Sequence, residues 1–369
     1  MENKKNNKEY MILIINPGST STKLAVFNND KEKCSYNIMH DFKAIKNSKK
    51  IIDQLDFRKT TILDFLKKNN IELKNINCIV ARGGLLKPVK SGVYYINDKM
   101  LSDLKTGKYG EHASNLGGII AHYIAGLANN TCKAYVADPV VVDEMKDIAR
   151  ISGLPEIMRK SIFHALNQKS AAKQACMKIG KNYYESNLIV AHLGGGISIA
   201  AHEKGSVIDV NNALDGDGPF SPERSGGLPA GQLIALCYSG KYSYSEMKKK
   251  IVGNGGLVSY LGSNNLQEID AKIKSGNKDY IQKTELILNA MAYQISQEIA
   301  KHSATFKGNI DCIVLTGGMT FHTKLIDLII ERITHIAGIE IMPGEFEMVS
   351  LAEYGINVLN GKEHVKEYI

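Results

Sequence analysis

Asn16-Pro17-Gly18-Ser19-Thr20-Ser21-Thr22-Lys23 separates two runs rich in β-branched and apolar residues, 11–15 and 23–27. Two such runs around a turn-rich break predict a β-hairpin. The pattern restarts further on: residues 188–191 are strand-like, His192-Leu193-Gly194-Gly195-Gly196 is a break, and 197–201 resumes. Asn16 and His192 are 176 residues apart, as are Gly18 and Gly194. A later strand over 312–316 ends in Gly317-Gly318 much as 133–137 ends in Asp138-Pro139, at an offset near 180. Duplication follows, giving two similar α/β halves with a ligand cleft expected between them. Chance is the competing explanation, because glycine turns are common in hairpins.

Around these hairpins, strand-like runs alternate with helical patterns, which points to an α/β fold. Helices are expected over 51–68, over 116–127, where Gly117 and Gly118 open the segment, and over 165–178, with Gly180 as the residue past its end. A strand over 77–81 is stopped by Gly83-Gly84. A long helix over 284–303 carries Leu288, Ala292, Ile295 and Ile299 on one face, a core stripe rather than a site.

The chain has 369 residues, two to three domains by a rule of roughly 150 each. Its net charge is +8. Most of that surplus lies in residues 1–75, where lysines are scattered among Asn and Asp as on a solvated face, and Trp is absent. A basic stripe with interleaved aromatics is missing, so nucleic acid is not the expected partner. The six cysteines stand at least 44 residues apart, without the close groupings of zinc sites or disulfide frameworks. Reduced thiols in a cytoplasmic protein are expected. The five-residue apolar run at 11–15 is too short for a signal peptide or a membrane helix, so no membrane association is expected.

The loop 16–23 offers four hydroxyls, a carboxamide and a lysine, with no acid. Such a donor set suits phosphate oxygens or a phosphate-bound metal, and Gly18 lets the backbone approach a ligand. It is not a Walker A loop, because Thr22 stands where glycine would precede the lysine and a strand follows. Alone, it reads equally as a solvated Ser/Thr hairpin. The second break, His192 with Gly194, Gly195 and Gly196, is another acid-free, backbone-rich turn, and two such loops could clamp a polyphosphate. Gly317-Gly318 could pass close under a purine.

These turns resemble the two phosphate loops, connecting acid and adenosine loop of the acetate and sugar kinase, heat-shock 70 and actin (ASKHA) superfamily. Within it the chain is most similar to the butyrate kinases of the acetokinase family, over nearly its whole length. The match is carried by 16–23, Ala81-Arg82-Gly83-Gly84, His112-Ala113-Ser114-Asn115-Leu116, Phe163-His164, 192–196, Gly218-Pro219-Phe220-Ser221-Pro222-Glu223-Arg224-Ser225-Gly226 and Pro343-Gly344-Glu345. The resemblance implies two duplicated ribonuclease H-like lobes. The first would run to about 142, with a C-terminal helix over roughly 350–367 returning to it; the second, 143–349, would hold the nucleotide and the interface of a homodimer or larger homo-oligomer.

It also implies transfer of the γ-phosphoryl of ATP to a short-chain carboxylate with Mg2+, giving an acyl phosphate and ADP. Butyrate is the implied acceptor, with isobutyrate or propionate as alternatives and a non-catalytic nucleotide switch as the rival from another class. Arg82 and Arg224 would flank the phosphoryl and carboxylate, because a planar fork holds such oxygens bidentately. His164 would donate to the phosphoryl, with His112, Phe163 and Gly84 near the acyl group. Asn16, Gly18, Ser19, Ser21, Lys23, His192, Gly194, Gly195, Gly196, Gly317 and Gly318 would hold the phosphates and nucleotide. Asp138 and Asn16 would support the metal; Asp before Pro is equally an ordinary turn starter. Gly317-Gly318-Met319-Thr320 lacks the acid of related acetate kinases, which leaves the metal's second acid unassigned. Arg224-Ser225-Gly226 is followed by Gly227, where those enzymes have an acid. Gly84 replaces a valine, read as room for a longer acyl chain.

Overall fold

The computed structural model describes residues 8–41, 45, 48, 50–274 and 277–369. The first seven residues, part of the expected lysine-rich face, lie outside them. The chain forms two compact units: one runs up to Val142 and takes in Phe346–Ile369, and the other is Asp143–Glu345.

In the first unit β1 (Met11–Pro17), β2 (Ser21–Asn28) and β3 (Lys31–Met39) form an antiparallel meander. The hairpin is the one read from the sequence, while β3 is not part of that reading. Its residues are mostly exposed, so the apolar alternation that betrays a strand is weak there. β4 (Ile76–Arg82) runs parallel to β1, β6 (Lys133–Ala137) runs parallel to β4, and β5 (Val93–Tyr95) is antiparallel to β6.

Alternate residues of β1 and β4 serve two faces. Leu13, Ile15, Ile79 and Ala81 pack with Leu116, Ile120 and Ile124 of the helix Asn115–Leu127. A Cβ on Gly117 would lie 2.6 Å from the Arg82 carbonyl oxygen, so glycine lets that helix come down onto the strand ends. The other face takes the helix Glu347–Leu359, where a Cβ on Gly355 would lie 2.9 Å from Ile12 and 3.1 Å from Val80. This helix was expected over 350–367. It stops earlier because Asn360 is followed by Gly361 at φ +68°, and Val365–Lys366 then pairs with β5.

The second unit has β7 (Asn187–Leu193), β8 (Ile197–Glu203), β9 (Ser206–Val210), β10 (Cys312–Gly317) and β11 (Ile339–Pro343), in the order β11-β10-β7-β8-β9. Helix Ala165–Lys178 closes with Gly180 at φ +69°, as its sequence signals. Helix Lys278–Thr305 is longer than the expected 284–303, since Asn277 caps it by accepting the Asp279 amide at 2.9 Å. Its face carrying Leu288, Ala292, Ile295 and Ile299 is buried.

Strand order β9-β8-β7-β10-β11 repeats β3-β2-β1-β4-β6 with the same directions. This corrects one pairing from the sequence: β10 takes the place of β4, not of 133–137. Gly317-Gly318 therefore stands where Gly83-Gly84 stands in the first sheet. The hairpins also differ by a residue, because Pro17 pairs with Thr22 but Leu193 pairs with Ile197. His192 lies inside β7 opposite Ser198, not in the break. Among the described residues no helix is long and apolar enough to cross a membrane. All six cysteines are unpaired, with Cys78, Cys132, Cys176 and Cys312 buried.

Candidate active site

Ile15 pairs with Ala81, so Asn16 and Arg82 come next, side by side at the carboxyl ends of two parallel strands. That edge is where open α/β sheets place their ligands. The helix beginning at Glu347 adds a carboxylate: Glu347 is only 4% exposed and accepts from Asn16 Nδ2 at 2.7 Å and Arg82 Nη1 at 3.2 Å. Glu347 is absent from the site residues expected from the sequence, and it is the carboxylate that the fold brings against Asn16 and Arg82. Its only linear signal was its place two residues past the Pro343-Gly344-Glu345 stretch.

The loop after β1 is closed by its own backbone, the Gly18 amide donating to the Ser21 carbonyl at 2.8 Å. Ser19 is exposed, and Ser21 and Lys23 are half-buried. Behind the loop lies Arg58, fully buried and also absent from the sequence-based site. It donates to Ser21 O and Thr22 Oγ1, both at 3.0 Å, to Ser19 O at 3.3 Å, and to Gln54 Oε1 at 2.8 Å. Loss of solvation pulls its pKa down to about 10, so it stays charged at neutral pH. His40 bonds Thr22 Oγ1 at 2.8 Å; burial first and the Arg58 charge second push it down to about 4.

Three other expected residues of this unit have structural partners. Asp138, at φ +36°, accepts from Ser91 Oγ at 2.7 Å and the Gly92 amide at 2.8 Å on one oxygen, and from Tyr354 on the other. His112 Nδ1 lies 2.8 Å from Ser114 Oγ. Gly84 corrects the reading of extra acyl room: a Cβ there would lie 2.5 Å from Asn115 Cα and 2.7 Å from its nitrogen, so helix backbone fills the space.

In the second unit His164 and His192 stack, ring centroids 3.8 Å apart at 12°. Two imidazolium charges so close would repel by about 4 kcal/mol at an effective dielectric near 20, which disfavours charging both. Phe163, beside His164, is 2% exposed and packs in the interior. Arg224 reaches under the second hairpin turn and donates to the Ala213 carbonyl. A Cβ on Gly196 would collide with Arg224 Nη1, so this glycine makes room for the guanidinium. The Arg224 Nε is buried with no partner among the described residues, and burial lowers the pKa of the group while Glu223 raises it.

Gly317, at φ +98°, is needed because β10 ends against the Leu193 backbone. Gly318 is different, since nothing lies within 4 Å of where its Cβ would be, and at Gly195 only Glu223 does, at 3.7 Å. Both line a cavity of about 690 Å3 with Asp270, Phe321 and His322, a size that suits a small-molecule ligand such as a nucleotide. The structure thus groups Asn16 with Arg82 and Glu347 in one unit, and His164, His192, Gly194–196 and Arg224 near the glycine-lined cavity in the other.

The model of the acetokinase family matches residues 154–364. The chain is 51% identical over 360 residues to butyrate kinase 2 of Clostridium acetobutylicum, covering 98% of this chain and 99% of that one. It is 50% identical over 359 residues to butyrate kinase 1 of the same organism, covering 97% and 99%. The fold is shared with acetate kinase from Porphyromonas gingivalis, at TM-score 0.77 and 18% identity over 95% of this chain and 100% of that one. A propionate kinase from Francisella tularensis superimposes at TM-score 0.74 and 19% identity, covering 94% and 98%. From the family match and these near full-length relatives, the chain belongs to the acetokinase family.

Proposed function

We propose that the chain transfers the γ-phosphoryl group of ATP reversibly to butyrate, giving butyryl phosphate and ADP. The convergence of Asn16, Arg82 and Glu347 at the sheet edge beside the first loop carries this reading, together with the butyrate kinases the chain resembles. A carboxylate oxygen attacks the γ-phosphorus as its bond to the β–γ bridging oxygen breaks and ADP leaves with the electron pair. Butyrate is already ionised at neutral pH, so no base is required. Positioning and charge neutralisation supply the rate, as is usual for phosphoryl transfer. In the first unit Arg82 is the group suited to neutralise phosphoryl charge; in the second, Arg224 and His164 are the corresponding cation and donor, and the glycine turns leave room for the nucleotide.

The residues present fit a magnesium ion. Asn16 and Glu347 offer hard oxygen donors, and Mg2+ is commonly held by one or two side chains plus phosphate oxygens and water. Bound there, it would neutralise charge on the phosphates. Asp138 suits this role less, since its carboxylate already holds Ser91, Gly92 and Tyr354. Glu347→Gln should raise the Mg2+ concentration for half-maximal rate at least tenfold; an unchanged Mg2+ dependence would return the role to another acid.

Incubation with ATP, Mg2+, hydroxylamine and each C2 to C5 acid tests the whole reading. Butyryl hydroxamate should form fastest. Faster product from isobutyrate or propionate would change the acceptor, which one methylene tunes by only about 1–3 kcal/mol. No hydroxamate from any acid, with ATP still bound, would favour a nucleotide switch. A cytoplasmic homo-oligomer completes the proposal, supported by the unpaired cysteines and by an uncovered apolar helix, Ala230–Cys237.

A further inference from the structure

We propose that Tyr183, His202, Gln168 and Ser198 form a one-directional hydrogen-bond relay that fixes His164 with its ring proton on Nε2. This makes Ser198 and Gln168 positioning residues, and it rests on the reading of His164 as the donor to the phosphoryl group.

The direction follows from which atoms can donate. Gln168 Nε2 lies 2.9 Å from the Ser198 carbonyl, which only accepts, so the nitrogen end of the amide faces Ser198. The same nitrogen donates to Ser198 Oγ at 2.7 Å. The His164 amide also points at that oxygen, at 3.4 Å. The hydroxyl proton of Ser198 then has one acceptor among the described residues, His164 Nδ1 at 2.9 Å. An Nδ1 that accepts leaves the proton of a neutral ring on Nε2.

Upstream, Gln168 Oε1 accepts from His202 Nε2 at 2.9 Å, so a neutral His202 carries its proton there and its Nδ1 accepts from the Tyr183 hydroxyl at 2.9 Å, a closer acceptor for that proton than the Gly205 carbonyl at 3.3 Å. His202 is fully buried, and loss of solvation keeps it neutral. The stacked ring obeys the same logic. Asn167 Nδ2 donates to His192 Nδ1 at 2.8 Å and to Thr316 Oγ1 at 3.3 Å, while Thr316 donates to the Gly344 carbonyl. Both stacked imidazoles therefore hold their protons on Nε2. For His164 this leaves a neutral N–H donor, whose orientation is set by Ser198 before any ligand arrives.

The test is two-bond 1H–15N correlation NMR of the full chain labelled with 15N-histidine, with His164 assigned through His164→Gln. The unaltered protein should show a single Nε2–H form for His164. Ser198→Ala should turn it into a tautomer mixture and lower kcat for butyryl phosphate formation about ten- to hundredfold, with the KM for ATP within twofold; Ser198→Thr should restore both. Gln168→Glu should reverse the relay, since the introduced carboxylate takes the Ser198 proton and leaves His164 as the Nδ1–H form. A persistent Nε2–H form in both Ser198→Ala and Gln168→Glu would overturn the relay, as would an Nδ1–H form in the unaltered protein. Full kcat in His164→Gln would instead remove the catalytic reading of His164, while the tautomer shifts would still stand.

Discussion

Arg58 is a full charge buried, among the described residues, without a carboxylate in contact, and its partners there are two carbonyls of the first loop, a hydroxyl and an amide oxygen. With Ser19 O and Ser21 O drawn back onto the guanidinium, the loop keeps one shape before any phosphate is present. Arg58→Met would strand these acceptors, at about 1–3 kcal/mol for each one left unsatisfied, partly offset by removing a desolvated charge. The expected outcome is a loss of about 2 kcal/mol or more in urea unfolding and weaker ATP binding. An unchanged midpoint would show that water replaces the arginine.

His40 adds a pH signature to the same loop. Its folded pKa of about 4 lies below the ordinary 6.5, so between those values the unfolded chain binds the extra proton. Stability from this group is complete above pH 6.5 and is lost as pH falls towards 4. In His40→Gln the decline of the unfolding midpoint across that interval should be shallower than in the unaltered protein. Parallel curves would assign the decline to other groups.

At the scale of elements, close approach between helix and strand decides what the site can tolerate. The helix Asn115–Leu127 lies so near β4 that its Asn115 occupies the space beside Gly84. Asn115 Oδ1 also accepts the Leu85 amide at 2.8 Å, which ties the strand end to the helix start. Gly84→Val should therefore lower stability by a few kcal/mol through overpacking, without a selective gain for acetate over butyrate. A stable variant with altered chain-length preference would restore the acyl-room reading.

Elements whose two sides differ in polarity, or whose faces are wholly buried, were legible in the sequence: β1, β2, β6 and the helix Ala165–Lys178 fall where the pattern puts them. β3 was not legible, because an exposed edge strand needs no apolar stripe. Asn16, Arg82 and the glycine turns could be singled out because each sits at a break beside a strand, whereas His164 came only from the family resemblance, one histidine among ten. Glu347 and Arg58 could not. One meets Asn16 across 331 residues, and the other looks like any charged residue on a helix until the loop it holds is in place.

Over the whole molecule, the feature that the catalytic reading leaves unused is the helix Ala230–Cys237. None of its residues is buried, and from Leu228 to Gly240 the chain carries no charge. Ile234 is 59% and Tyr238 88% exposed, joined by Leu228 and Leu236. Ile234 and Tyr238, four residues apart, share one side of the chain here, and exposed apolar side chains of this kind are candidates for the interface of the proposed homo-oligomer. A second copy of the chain is the occupant that fits best, because an uncharged patch can face itself across a two-fold axis without repulsion. Ile234→Asp would place two carboxylates in such an interface at once, and the expected result in sedimentation velocity is a shift from dimer or larger species to monomer. Circular dichroism should stay unchanged, since the side chain is 59% exposed and belongs to no core cluster. If the sedimentation coefficient of the variant matches that of the unaltered protein, the helix is not where the subunits meet.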